Sequence, residues 1–169
     1  RTDQIRMGAN ISPQFFARGK SWFQRFSPEI YYNRIHRHGA ARHFGVRTDD
    51  EIGVEAGLEM PLSTELGGGY FRAYTLHEGR AFPRQDRVAF WGESRRFNAV
   101  QGGGFASYGD DVVFDETVAG HSLRWRVWTD LRFTPQLDAS LSVAGLHLER
   151  RGSGTRFADA AVPRLRVAY

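Results

Sequence analysis

The segment HRHGAARH sets His36, His38 and His43 close together. His36 and His38 share one side of an extended chain, and with one more ligand they would suit a divalent metal. No acidic partner stands at a known motif spacing and the chain has no cysteine, so a solvated histidine cluster at a strand end is the simpler expectation. Ser107, Ser122, Ser140 and Ser142, with His77, His121 and His147, offer the parts of a nucleophile–base pair. None of them sits in a nucleophile motif, so the sequence does not point to an enzyme. Triple glycines at 67–69 and 102–104 precede no helix and carry no phosphate-loop lysine. They are expected to allow close strand approach, sharp curvature or room for a large neighbour. Asp49, Asp50 and Glu51, and likewise Asp110 and Asp111, lack calcium-loop spacing and read as solvated loop charge. No cofactor is expected.

The elements that must position these residues are strands. No window keeps apolar positions at helical spacing with caps at both ends. Period-two alternation recurs instead. In residues 51–62, Ile52, Val54, Ala56, Leu58, Met60 and Leu62 alternate with Glu51, Gly53, Glu55, Gly57, Glu59 and Pro61. An extended chain sends successive side chains to opposite faces, so this segment has one oily and one acidic face. In residues 121–133, Leu123, Trp125, Val127, Leu131 and Phe133 oppose Ser122, Arg124, Arg126, Trp128, Asp130 and Arg132. Thr134, Pro135 and Gln136 then turn the chain into a second alternating run, 137–149. Further runs lie at 4–16, 26–37, 66–76, 86–95, 98–108 and 160–169, which makes about nine strands. Turns near Phe97 and Pro135 read as tight. Gly79 to Asp86, Asp110 to Gly120 and Arg151 to Ala158 read as longer loops.

Composition narrows the class. The net charge is +4 and Lys20 is the single lysine, so the basic balance is carried by arginine. An arginine-preferring genome accounts for this as simply as an anionic partner does. The arginines are spread at strand spacing rather than in one patch, against a nucleic-acid surface. No apolar run approaches the roughly 18 to 20 residues a spanning helix needs. A membrane barrel is compatible, because its strands are apolar only at every second position. The chain begins at Arg1 without a methionine or signal peptide and reads as a mature or excised segment.

Two features favour a bilayer over a soluble sandwich. Alternation often holds for ten residues or more, against roughly five to six in soluble strands and roughly nine to eleven in spanning ones. The polar face carries bulky Arg, Glu, Trp and Tyr mixed with glycine, which suits a crowded barrel interior. The fold expected is an all-β, antiparallel up-and-down meander over residues 1–169: a transmembrane barrel or part of one. Glu51, Glu55, Glu59, Arg124, Arg126, Arg132, Arg164 and Arg166 would line its interior, with Glu55 and Glu59 meeting Arg124, Arg126, Arg164 or Arg166. The partners expected are a lipid bilayer with lipopolysaccharide and a small solute or carbohydrate, in a bacterial outer membrane. The competing reading is a soluble barrel or sandwich in which Trp91, Trp125 and Trp128 stack on a carbohydrate.

Three stretches carry a family likeness: GANISPQFFARGKSWFQRFSPEIYYNRI, SLRWRVWTDLRFTPQLDASLSVAGL and the ending VPRLRVAY. Together they resemble the C-terminal barrel region of bacterial outer-membrane proteins that carry an N-terminal family-nine-type carbohydrate-binding-like domain. The resemblance covers most of the chain and implies a multi-stranded barrel. It supplies no catalytic residues.

Overall fold

A computed structural model describes residues 4–38 and 44–169; of His38 and Phe44 it describes the backbone only. Ten strands form one antiparallel sheet: β1 (Gln4–Ile11), β2 (Phe15–Phe16), β3 (Arg25–His38), β4 (Phe44–Met60), β5 (Thr64–His77), β6 (Arg80–Phe97), β7 (Val100–Val113), β8 (Val118–Arg132), β9 (Asp138–Arg150) and β10 (Arg156–Ala168). The order is β1-β3-β4-β5-β6-β7-β8-β9-β10, with β2 also paired to β3, so each strand lies beside its sequence neighbour. β1 and β10 do not pair with each other and the sheet is open.

The expected first strand, 4–16, is split where the register sets Pro13 opposite Pro28, neither of which has an N–H to offer. β1 pairs with β3 as far as Ile11↔Ile30 and β2 resumes at Phe15↔Phe26, leaving residues 12–14 opposite Pro28. Alternation in β4 stops at Met60, not Leu62, since Leu62 and Ser63 turn with φ of 67° and 52°.

The longer loops expected from sequence are not present. The connections after β5, β7 and β9 occupy only residues 78–79, 114–117 and 151–155. They are as short as those after β4, β6 and β8 at 61–63, 98–99 and 133–137. The polar residues read as loop lie in the ladder. A bulge between Ala73 and Thr75, with Arg84 at φ 57°, lets β6 run through residues 80–86. Asp49, Asp50, Glu51, Asp110 and Asp111 are strand residues, and all but Asp49 make ion pairs among the described residues. Asp50 meets Arg34 at 3.5 Å and Arg47 at 3.0 Å, Glu51 meets Arg87 at 3.0 Å, and Asp110 meets His121 at 3.1 Å.

The connections define two rims. The near rim holds 17–24, 61–63, 98–99 and 133–137; the far rim holds 78–79, 114–117 and 151–155. At the far rim the 3-10 turn Phe114–Glu116 is tied down by Arg150, which donates to both Glu116 carboxylate oxygens. That hydrogen bonding holds the Glu116 carboxyl below its ordinary value.

Candidate functional site

Directly opposed residues in an antiparallel ladder share a face, so the register sorts every side chain. One row runs Ile30–Val54–Tyr70–Val88–Tyr108–Leu123 across β3 to β8. Another runs Leu58–Leu66–Gly92–Gly104–Val127–Val143–Pro163. From the near rim inwards these rows carry no Asp, Glu, Lys or Arg until Arg34, Asp50, Arg72, Asp86, Asp110, His121, His147 and Asp159, one on each strand from β3 to β10. This belt steps towards the near rim as the rows are followed from β3 to β10, which is how a level plane crosses tilted strands. Tyr32, Tyr70 and Tyr108 come just before it. At the near rim, Phe15, Trp22, Phe26, Leu58, Leu66 and Phe90 line an apolar groove of about 590 Å³ on the same face.

The other face is polar, and it is the enclosed one. Phe71, Leu148, Ser107 and Ser122 lie on it at 8, 7, 5 and 3% exposure, whereas Phe90, Val127 and Leu165 on the apolar face are 64, 51 and 71% exposed. Side chains on the polar face reach past a strand: Arg87 of β6 meets Glu51 of β4 across β5, and Tyr31 donates to the same carboxylate at 2.6 Å. A sheet rolled towards its polar face gives this asymmetry.

All eight expected lining residues stand on the polar face. The register carries Glu55 through Gly69, Ala89 and Ser107 to Arg124. It carries Glu59 through Glu65, Glu93, Gly103, Trp128 and Ser142 to Arg164. These rows also show why the expected ion pairs are not made. The acidic strand and the basic ones lie four or more strands apart along an open sheet. Glu59 is paired instead with Arg25 at 3.0 Å, and Arg124 with Asp111. Among the described residues, no ion pair reaches Glu55, Arg126, Arg164 or Arg166. Glu55 directly faces Glu29, and Glu59, Glu65 and Glu93 face one another in turn, arrangements that cost a few tenths to about 1 kcal/mol each.

Between the acidic and basic sectors lies a cavity of about 730 Å³. Trp91, Phe105 and Trp128 wall it, with Glu65 and Glu93 on one side and Arg126 and Arg166 on the other. Gly92 and Gly104 contribute to its lining, and neighbouring glycines make room for the indoles that wall it. A Cβ on Gly103 would fall 2.6 Å from the Gly92 carbonyl oxygen and 3.0 Å from Trp128 Nε1. A Cβ on Gly67 would meet the Trp91 indole, as one on Gly145 would meet Trp125 on the apolar face. Room for a large neighbour therefore explains the run at 67–69. Trp91 and Trp128 share the cavity; Trp125 does not.

The other candidates are dispersed. Ser122, Ser140 and Ser142 stand on the polar face while His121 and His147 stand on the apolar one, so neither reaches those hydroxyls. His121 meets Asp110, and His147 meets Glu149 at 2.8 Å. His36 Nδ1 lies 3.0 Å from the Gly45 carbonyl oxygen. His43 lies outside the described residues, as does the side chain of His38. Among the described residues no group of three His, Asp or Glu is placed to hold a metal, and no helix is long and apolar enough to cross a membrane. The belt is not legible in the sequence, because it needs the cross-strand register to be seen.

Comparison with protein-family models, with curated proteins and with solved structures gives no match.

Proposed function

We propose that this sheet is a membrane-spanning segment of a bacterial outer-membrane β-barrel, its apolar rows against lipid and its charged face inward around a polar path or a plugged interior. One observation carries the reading: the face whose rows hold no Asp, Glu, Lys or Arg inside the belt is the exposed one, with Phe90, Val127 and Leu165 open, while the face that carries the Glu and Arg rows is the enclosed one, with Ser107 and Ser122 buried beside Phe71 and Leu148. The height of the band agrees. From Phe133 to Leu123 along β8 the chain covers roughly 34 Å at about 3.4 Å per residue. At a tilt of about 40° that is roughly 26 Å, against an apolar band of about 25 Å in outer-membrane barrels. Aromatic residues mark both edges of the band, as rings with one wet and one apolar side do at headgroup depth.

Such a segment acts as a passive pore, a receptor or a structural element, with the bilayer and lipopolysaccharide as its surroundings. The test is gel mobility in detergent. A folded membrane barrel migrates differently before and after boiling, and the full-length protein is expected to do so. A monodisperse, folded protein in plain buffer would end this reading.

The cavity between Trp91 and Trp128 favours a second reading, in which the polar face binds a carbohydrate by stacking on indole rings with carboxylates and arginines taking the hydroxyls. Quenching or a spectral shift of tryptophan fluorescence by a saccharide, lost in Trp91→Ala, would support it in detergent or in water.

A further inference from the structure

The two free edges of the sheet run in the same direction. β1 starts at the far rim, where Gln4 lies opposite Arg37, and runs towards the near rim, where the same line resumes as β2 with Phe16 opposite Arg25. β10 starts at the far rim, with Arg156 opposite Glu149, and ends at the near rim, with Ala168 opposite Asp138. With β1 and β2 counted as one interrupted line, the path holds nine strands, an odd number. Joining β1 to β10 would make the single parallel ladder in a sheet whose every described pairing is antiparallel. Bacterial outer-membrane barrels of one chain close with an even count because antiparallel closure demands it.

We propose that the β1 and β10 edges are docking sites for an odd number of further strands, the one on β10 running from the near rim to the far rim. The proposal rests on the membrane reading above. The chemistry of that strand follows from the edge it meets. On one side it continues the row Ala161, Pro163, Leu165 and Val167 with aliphatic residues. On the other it offers acidic groups to Arg164 and Arg166, which have no ion pair among the described residues. Pro163 supplies no N–H, so the ladder forms through its neighbours. The edges are the most accessible part of the sheet, with most of β1 and β10 exposed.

A second copy of the chain does not fit. Antiparallel pairing of β10 with another β10 inverts one copy. The inverted copy's charged belt, Asp159 included, would then lie level with the uncharged near rim of the first. No single slab of hydrocarbon covers both bands.

The chain has no cysteine, so Ala9→Cys with Ala161→Cys reports on the two edges alone. Both positions lie on the apolar face just inside the belt. In detergent the expected result under oxidation is two free thiols. A disulfide within one chain needs Cα atoms roughly 4.4–6.8 Å apart and overturns the proposal, as does a disulfide-linked dimer.

A parity experiment supplies the positive arm. The chain is lengthened after Tyr169 by a repeat of residues 133–150, one turn and one strand, or by a repeat of 133–168, two strands. Both extensions cover the β10 edge with a copy of β9; the one-strand extension is expected to slow amide exchange in β1 by about tenfold or more, the two-strand extension to leave β1 as in the parent. Equal protection of β1 in both, or protection of β1 already present in the parent, overturns the proposal. Detergent dependence is scored separately. A parent that stays folded in plain buffer ends the membrane reading, while the parity contrast still stands or falls on the edge amides.

Discussion

The two faces of this sheet are built from the same strands and follow opposite rules. On the apolar face the side chains are large, aliphatic or aromatic, and open to the surroundings; Phe90 and Val127 are more than half exposed. On the polar face small residues and a few large ones are closed in: Ala89, Ser107, Ser122, Phe71 and Leu148 are all buried. In water the first face would be a large exposed apolar patch of the kind monomeric soluble proteins avoid. Against hydrocarbon it needs no protein partner, and the packing that selects one structure falls to the polar face.

That contrast is broken most severely by removing packing from the enclosed face. Phe71→Ala is expected to cost about 3–5 kcal/mol and Leu148→Ala about 2–5, measured by denaturant unfolding from detergent or bilayer. Phe90→Ala, on the exposed face, should show the smaller loss. Next comes a charge on the outer face. Val127→Arg should cost about 2–4 kcal/mol in a bilayer, read as folded fraction by gel mobility. The same change on a surface facing water stays within roughly 0.5 kcal/mol, so a small effect in lipid would show that Val127 does not face hydrocarbon.

Smaller still is the glycine contrast. Gly67→Ala pushes a methyl into the Trp91 indole and is expected to cost about 1–3 kcal/mol. At Gly57 the nearest atom to a new Cβ is the Ser27 carbonyl oxygen at 4.0 Å, so Gly57→Ala should be tolerated. Within the acidic sector, Glu55→Gln removes a like charge facing Glu29 and should stabilise by about 0.2–1 kcal/mol. If the face lines a water path, the substitution also lowers cation preference in planar bilayers.

The mildest effect is at the far rim. The Glu116 carboxyl is held low by Arg150, so its contribution is complete above the ordinary carboxylate range and is lost as pH falls through the lowered value. Faster exchange of the Thr155 and Thr117 amides at acid pH, absent in Glu116→Gln, would check this.

Much of the fold was legible because period two survives wherever one face is uniform. The alternation in residues 121–133 gives the correct face for each residue of β8 from Ser122 to Arg132. The far-rim loops were misread for an equally physical reason. Gly and Asp normally signal turns, but here Asp86, Asp110 and Asp111 lie in the ladder and are paired with Arg72, His121 and Arg124. The eight charged residues could be assigned to one face from alternation alone. Their partners could not, because pairing depends on which strands are neighbours. Glu59 finds Arg25 of adjacent β3 and never meets Arg164 of β10.

The glycines beneath the indoles have an optical consequence. The Trp91 indole lies over bare Gly67 on one side of the sheet and the Trp125 indole over bare Gly145 on the other. Under the membrane reading proposed above, the two rings stand in different media. Brominated acyl chains should darken Trp125 and leave Trp91 bright, and aqueous iodide should do the opposite, so the chain carries its own gauge of which way round it sits.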